Sequence, residues 1–169
     1  MEQIIQVLEK EDCRLHLRKP NYSESEYETL LKTIPAKFHT RIVLHDYFHL
    51  SEKYELGGIH FSTKKRSLIT KSPNHQISKL TLSTSTHSFE EMKSLDDQFD
   101  YVFLSPIFPS ISKQGYEGNM DMQKVQVYLQ EAHKTKVIAL GGIDESKIPQ
   151  LMEWGFDGYA KLGSIWNLK

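Results

Sequence analysis

Short apolar runs alternate with amphipathic stretches along the whole 169-residue chain, and this alternation limits the fold more than any other feature. The runs are Arg14–Arg18, Arg41–Leu44, Gly57–Phe61, Leu80–Thr84, Tyr101–Leu104, Val137–Leu140 and Gly158–Leu162. Each is strand-length and is bounded by polar residues, proline or glycine. Helical spacing fills the gaps. Ile4, Ile5 and Leu8 share a face over residues 2–10. Ser23 and Glu26 form a capping box ahead of Tyr27, Leu30, Leu31 and Ile34, and Pro35 ends that helix. A helix carrying Phe48, Leu50 and Tyr54 follows the second run. Ser88 and Glu91 form a second capping box ahead of Phe89, Met92 and Leu95, and a further helix runs from Asp121 to His133. The polar segment Ser62–Gln76 and the segment Ser105–Met120 read as long loops.

Repeated strand–helix units give a parallel sheet, closed as a barrel or open and doubly wound. No GxGxxG follows the first strand, which counts against a dinucleotide-binding version. Polar residues gather just after the strands: His16, Arg18, His45, Asp46, Ser85, His87, Ser110 and Lys113. In a (β/α)8 barrel they would line the C-terminal mouth, where such barrels carry their sites. The expectation is therefore an α/β chain, a (β/α)8 TIM barrel forming a single domain over residues 1–169. Its first strand is absent from the chain, because only seven runs are found and a helix stands where the first strand belongs.

The stretch Lys136–Trp166 is the most suggestive of a site. A buried strand meets Gly141-Gly142, Asp144 or Ser146 caps a short helix carrying Ile148, Leu151 and Met152, and Gly155 sits where a helix C-terminal glycine belongs. A second strand then runs into Gly163-Ser164. Two glycine turns at the carboxyl ends of adjacent parallel strands present backbone N–H groups to an anion, which outlines a phosphate site. The plainer alternative is two simple strand–helix connections, for which glycine is common.

Composition removes several other functions. A net charge of −1 gives no reason to expect nucleic acid or an anionic membrane surface as partner. Cys13 is the only cysteine, so no internal disulfide forms, and a reducing compartment fits. No run of 18 apolar residues occurs, and the N-terminus lacks a basic-then-apolar leader. A cytoplasmic protein acting on small molecules, without nucleic acid or membrane, is the expectation; a homo-oligomer is compatible with it.

Six segments, in order, resemble the thiamine-phosphate synthase family, which includes related thiazole tautomerases. RLHLRK resembles the family's LQLREK, RIVLHD its IIIND, and GGIHFS its DGVHLGQ. STSTHSFEEM resembles GVSTHSLEEA, and YVFLSPIFPSISK resembles YVGxGPVFPTxTK. VIALGGID with GYAKLGSIW resembles VVAIGGIN with GVAVISAI. The resemblance covers residues 12 to 166. It implies a barrel transferase of thiamine biosynthesis, joining 4-amino-5-hydroxymethyl-2-methylpyrimidine diphosphate to a thiazole phosphate and releasing pyrophosphate.

By the same resemblance, Arg18 faces the diphosphate and pyrimidine, Asp46 ligates Mg²⁺, and Ser85 lies near the diphosphate. Ser110 and Ser112 replace two threonines of the family's loop, and Lys113 matches its lysine, a partner for the leaving pyrophosphate. Gly141, Gly142, Gly163 and Ser164 hold the phosphate of the thiazole or the product. His16 and His45 stand where the family has Gln and Asn and are read as substrate-binding. The departures weaken the metal site: Pro20 replaces a basic residue, and the second magnesium carboxylate is absent, with Lys64-Lys65 in its neighbourhood. A lysine there could take over part of the metal's charge; on composition alone, Lys64-Lys65-Arg66 is a solvated loop, Asp46 a helix cap, and His87 structural. Two other readings stand: a thiazole tautomerase-like isomerase, and a non-catalytic binder of thiamine phosphate. Pro106 stands where the tautomerase branch has its histidine, although the GYEG after Lys113 echoes that branch.

Overall fold

The computed structural model describes residues 2–10, 12–66, 79–109 and 120–162. They fall into two compact units, residues 1–82 and 83–169. The first holds α1 (Glu2–Lys10), β1 (Leu15–Leu17), α2 (Glu24–Thr33), β2 (Ile42–Leu44), α3 (His49–Lys53), β3 (Gly58–Phe61) and the first two residues of β4 (Thr81–Thr86). The second holds the rest of β4, then α4 (Phe89–Ser94), β5 (Tyr101–Leu104), α5 (Met122–Gln130), β6 (Lys136–Leu140), α6 (Ile148–Glu153) and β7 (Gly158–Ala160).

In the first unit the strands are parallel and in register, Leu15 beside Ile42, Leu17 beside Leu44, and Leu44 beside Ile59. Side chains alternate across a strand. Leu15, Leu17, Ile42 and Leu44 accordingly pack with Leu8, Tyr27, Leu31 and Ile34 of the helices and their ends. His16, Val43 and His45 are left for the other face. The helices of 9 and 10 residues are too short to persist alone, so this apolar face is what holds them. Burying a side chain such as Leu31 completely contributes about 1.5–3 kcal/mol. Ser23 caps α2 with the full reciprocal box that the sequence predicts. Arg41 ties the end of α1 to the start of β1, its Nη1 donating to Leu8 O and its Nε to Cys13 O, both at 2.8 Å. Gly57 admits no side chain, because a Cβ there would lie 1.9 Å from Thr40 O. Its own carbonyl accepts from Thr81 N at 3.0 Å, which starts β4.

In the second unit β4 pairs with β5, β5 with β6 and β6 with β7, all parallel. Val102, Leu104, Val137, Ala139, Leu151 and Phe156 are buried. Residue 155 is the C-terminal glycine that the sequence predicts, at φ +90°. Gly155 N–H donates to Met152 O and Phe156 N–H to Leu151 O, the paired bonds of a Schellman ending. The second capping box forms by half: Ser88 caps Glu91 N, but the Glu91 carboxylate accepts from His87 N rather than from Ser88 N.

All seven predicted strands are present, and the expected barrel needs a correction. The described residues contain seven strands in the open order β1 to β7, so an eight-stranded closed barrel is not what they form. Residues 63–66, expected as loop, make a 3-10 turn directly after β3, with Lys65 N donating to Ser62 O at 2.8 Å.

Candidate active site

In the first unit the predicted polar residues converge. His16 lies in β1 and Arg18 just beyond it, while His45 and Asp46 follow β2 directly. His60 lies in β3, one step past the Leu44–Ile59 pair, so register sets it beside His45. The three imidazoles form one cluster. His16 Nδ1 is 3.1 Å from His45 Nε2. The His45 and His60 rings stack at 4.3 Å between centroids, and His16 meets both edge-on at 5.3 Å.

Burial removes water that would solvate an imidazolium, so it lowers all three pKa values. His16 falls to about 3, through burial and then the charges of His45 and Arg14. His45 falls to about 4, through burial and Arg18, against the raising influence of Asp46. His60 falls to about 2, through burial and then His45 and His16. All three rings are neutral at pH 7. Arg18 itself is exposed beside them.

Asp46 is not a free carboxylate. The Lys65 ammonium pairs with its Oδ1 and also donates to His45 O at 3.3 Å. Lys65 lies 5.4 Å over the Phe48 ring as well, so the reading of this lysine as loop surface is corrected. The next residue, Tyr47, holds φ +50° without being glycine, and its hydroxyl donates to Tyr22 O at 3.0 Å. A left-handed turn at a bulky residue costs of order 1 kcal/mol and persists only where its surroundings impose it. Here it redirects the chain immediately after Asp46.

In the second unit Ser85 sits in β4 opposite Phe103. Gly141 and Gly142 end β6 with φ +101° and +63°. Close approach requires glycine at both: a Cβ on Gly141 would be 3.0 Å from Pro106 Cα, and one on Gly142 2.8 Å from the carbonyl oxygens of Phe108 and Pro109. Lys147 Nζ donates to Gly142 O at 2.6 Å and pairs with Asp144 at 3.1 Å. Asp144 in turn caps the 3-10 turn Glu145–Lys147. The plainer reading of this turn is therefore sufficient to explain its glycines, and an anion role is additional to it. Ser110, Ser112, Lys113, Gly163 and Ser164 lie outside the described residues.

His60 and Lys147 are what sequence reasoning missed; a lysine taking over part of the metal's charge is expected at 64–65, and the structure shows Lys65 paired with Asp46. A signal for His60 existed, since three successive strands each carry one histidine at or next to the strand's end.

Parallel strands with polar side chains at their carboxyl ends are the layout of α/β enzymes, in barrels and open sheets alike. Among the described residues no helix is long and apolar enough to cross a membrane. The sequence model of the family described as thiamine monophosphate synthase matches residues 2–165. The chain belongs to that family. It is 25% identical over 170 residues to the thiamine-phosphate synthase of Cronobacter sakazakii, covering 98% of this chain and 80% of that one. It is 26% identical to the thiamine-phosphate synthase of Klebsiella pneumoniae over 155 residues, 89% of this chain and 73% of the other. Among solved structures it resembles the thiamine phosphate pyrophosphorylase of Bacteroides thetaiotaomicron, with TM-score 0.77, 35% identity, and 98% and 77% of the two chains covered. The thiamine phosphate pyrophosphorylase of Pyrococcus furiosus shares the fold at TM-score 0.75 and 18% identity, over 95% and 77% of the chains.

Proposed function

We propose that this chain is a thiamine-phosphate synthase, a transferase joining 4-amino-5-hydroxymethyl-2-methylpyrimidine diphosphate to a thiazole phosphate. The observation that carries the reading is the family match over residues 2–165. The tautomerase alternative is not favoured, because Pro106 occupies the place of that branch's histidine and the relatives above are named as synthases or pyrophosphorylases.

In the reaction the bond between the pyrimidine methylene and the diphosphate oxygen breaks, and its electron pair leaves with pyrophosphate. The cation left on the methylene is stabilised by the aminopyrimidine ring. The lone pair of the thiazole nitrogen then forms the new C–N bond, so no proton has to be removed. Catalysis thus asks for positioning and for positive charge at the leaving group. Arg18 in the first unit supplies such charge, Lys65 offsets the Asp46 carboxylate beside it, and Lys113 is assigned the same role as Arg18. Neutral His16 and His45 offer hydrogen bonds to the pyrimidine without placing an imidazolium against the developing methylene cation. Ser85, Ser110 and Ser112 are assigned to the diphosphate. Gly141 and Gly142, with Gly163 and Ser164, are assigned to the thiazole or product phosphate. Lys147 lies at this turn, with its ammonium paired to Asp144 and donating to Gly142 O.

Magnesium fits the described residues poorly. The ion asks for octahedral oxygen ligands, commonly one or two carboxylates together with substrate phosphates. Only Asp46 supplies a carboxylate among the described residues assigned to this site, and Lys65 already neutralises it. The neighbouring donors are imidazole nitrogens. Lys65 holds the place of a cation, and no step is derived through Mg²⁺. The test is formation of thiamine phosphate and pyrophosphate from the two substrates by the purified chain, with Arg18→Ala as the impaired control.

A further inference from the structure

We propose that, in the chain with no pyrimidine bound, His16, His45 and His60 form a binding site for a divalent transition-metal ion of the zinc type, separate from the carboxylate of Asp46 and exclusive of the pyrimidine. Each ring offers one nitrogen, and the three nitrogens lie within 4.8 Å of one another. A tetrahedral zinc ion bonds imidazole nitrogen at about 2.0–2.1 Å, which sets ligand nitrogens about 3.3 Å apart. His16 Nδ1 and His45 Nε2 already stand 3.1 Å apart in a hydrogen bond, so the spacing is in place and the ion replaces the shared hydrogen once the donor ring changes tautomer. The wider separations must shorten by about 1.5 Å at most to reach that same spacing, and the stacked His45 and His60 rings must turn about their χ angles so that their in-plane lone pairs converge.

The scaffold supports this arrangement. Three consecutive parallel strands deliver one ring each, at or just beyond the strand, so the ligands are placed by sheet register rather than by a loop. His60 is only 3% exposed, which shields the site from competing water. The donor set selects the metal: imidazole nitrogen suits zinc, copper, nickel and cobalt, whereas magnesium and calcium take oxygen. Burial keeps the rings neutral at pH 7, the form that ligates. Arg18 and Lys65 oppose a bound cation and the Asp46 carboxylate favours it, so the surrounding charges partly offset one another. Three protein ligands leave one tetrahedral position open, the layout of reactive rather than purely structural zinc sites.

The test is calorimetric titration of the chelator-stripped full chain with ZnCl₂. The cluster predicts one equivalent bound per chain with Kd of about 1 µM or below. His16→Gln with His45→Asn should weaken binding at least about tenfold, while His133→Gln should leave it unchanged. Cobalt substitution gives a readout that needs no variant, since a tetrahedral site yields intense visible absorption. Imidazole ¹⁵N resonances of the wild-type chain should also shift for three rings together. Absence of a saturable single equivalent in the wild type overturns the proposal. So does binding that survives the double substitution, or a shift confined to other histidines.

Discussion

Lowering the pH from 7 to 5.5 should remove about 4 kcal/mol of folding stability through the three clustered histidines alone. In the unfolded chain each imidazole takes up a proton near the ordinary value of 6.5, whereas in the folded chain His16, His45 and His60 do so only near 3, 4 and 2. Between those limits the unfolded state binds more protons, so stability rises with pH and is lost as pH falls below 6.5. At pH 5.5 the unfolded chain gains about 1.4 kcal/mol per histidine, against about 0.2 at pH 7, a difference near 4 kcal/mol for three. Against a typical total of about 5–15 kcal/mol, that loss is large. His133 acts oppositely, since its bonds to Glu131 O and Asp157 raise its pKa against the lowering influence of burial. The carboxylates with lowered pKa values titrate below this window. Urea unfolding at the two pH values in chelator-containing buffer, with the denaturant slope held constant, measures the change directly. His16→Gln with His45→Asn should cut the loss to about a third of its size. A stability that stays level from pH 7 to 5.5 would refute the neutral, buried cluster.

Four further substitutions test the rest of the site. Gly142→Ala forces a Cβ to 2.8 Å from two carbonyl oxygens at φ +63° and should destabilise by roughly 2–4 kcal/mol, read as a lowered Tm; a Tm within a degree of wild type would mean the turn accommodates a side chain. Lys65→Ala frees Asp46, so Mg²⁺ should bind several-fold more tightly by calorimetry than in wild type, and an unchanged affinity would remove Lys65 from the cation position. Arg18→Ala and Lys113→Ala should each lower kcat/KM by about 10²–10³ while leaving Tm unchanged. Turnover at the wild-type rate would end the leaving-group role assigned to either residue.

The strands and most helix ends were legible because they rest on local signals. Apolar runs of strand length, the Ser23–Glu26 box and the Gly155 ending each depend on residues within a few positions of one another, and all three are present. The Ser88–Glu91 box formed by half, since the neighbouring His87 N–H competes for the same carboxylate. What a single stretch cannot reveal is pairing between distant positions. Lys65 reads as one of three basic loop residues until the 3-10 turn after β3 carries it to Asp46, nineteen positions earlier. His60 reads as an apolar strand's polar exception until parallel register sets it beside His45 and near His16. The glycine pair at 141–142 ends β6 as a turn, and its first requirement is room, for Pro106 at Gly141 and for the carbonyl oxygens of Phe108 and Pro109 at Gly142.

The central claim is tested most directly by incubating the purified chain with the pyrimidine diphosphate and the thiazole phosphate, and following both products. The synthase reading predicts thiamine phosphate and pyrophosphate in equal amounts, formed far more slowly by Arg18→Ala. Binding of the thiazole phosphate without any thiamine phosphate formed would contradict it and leave a chain that binds but does not join its ligands.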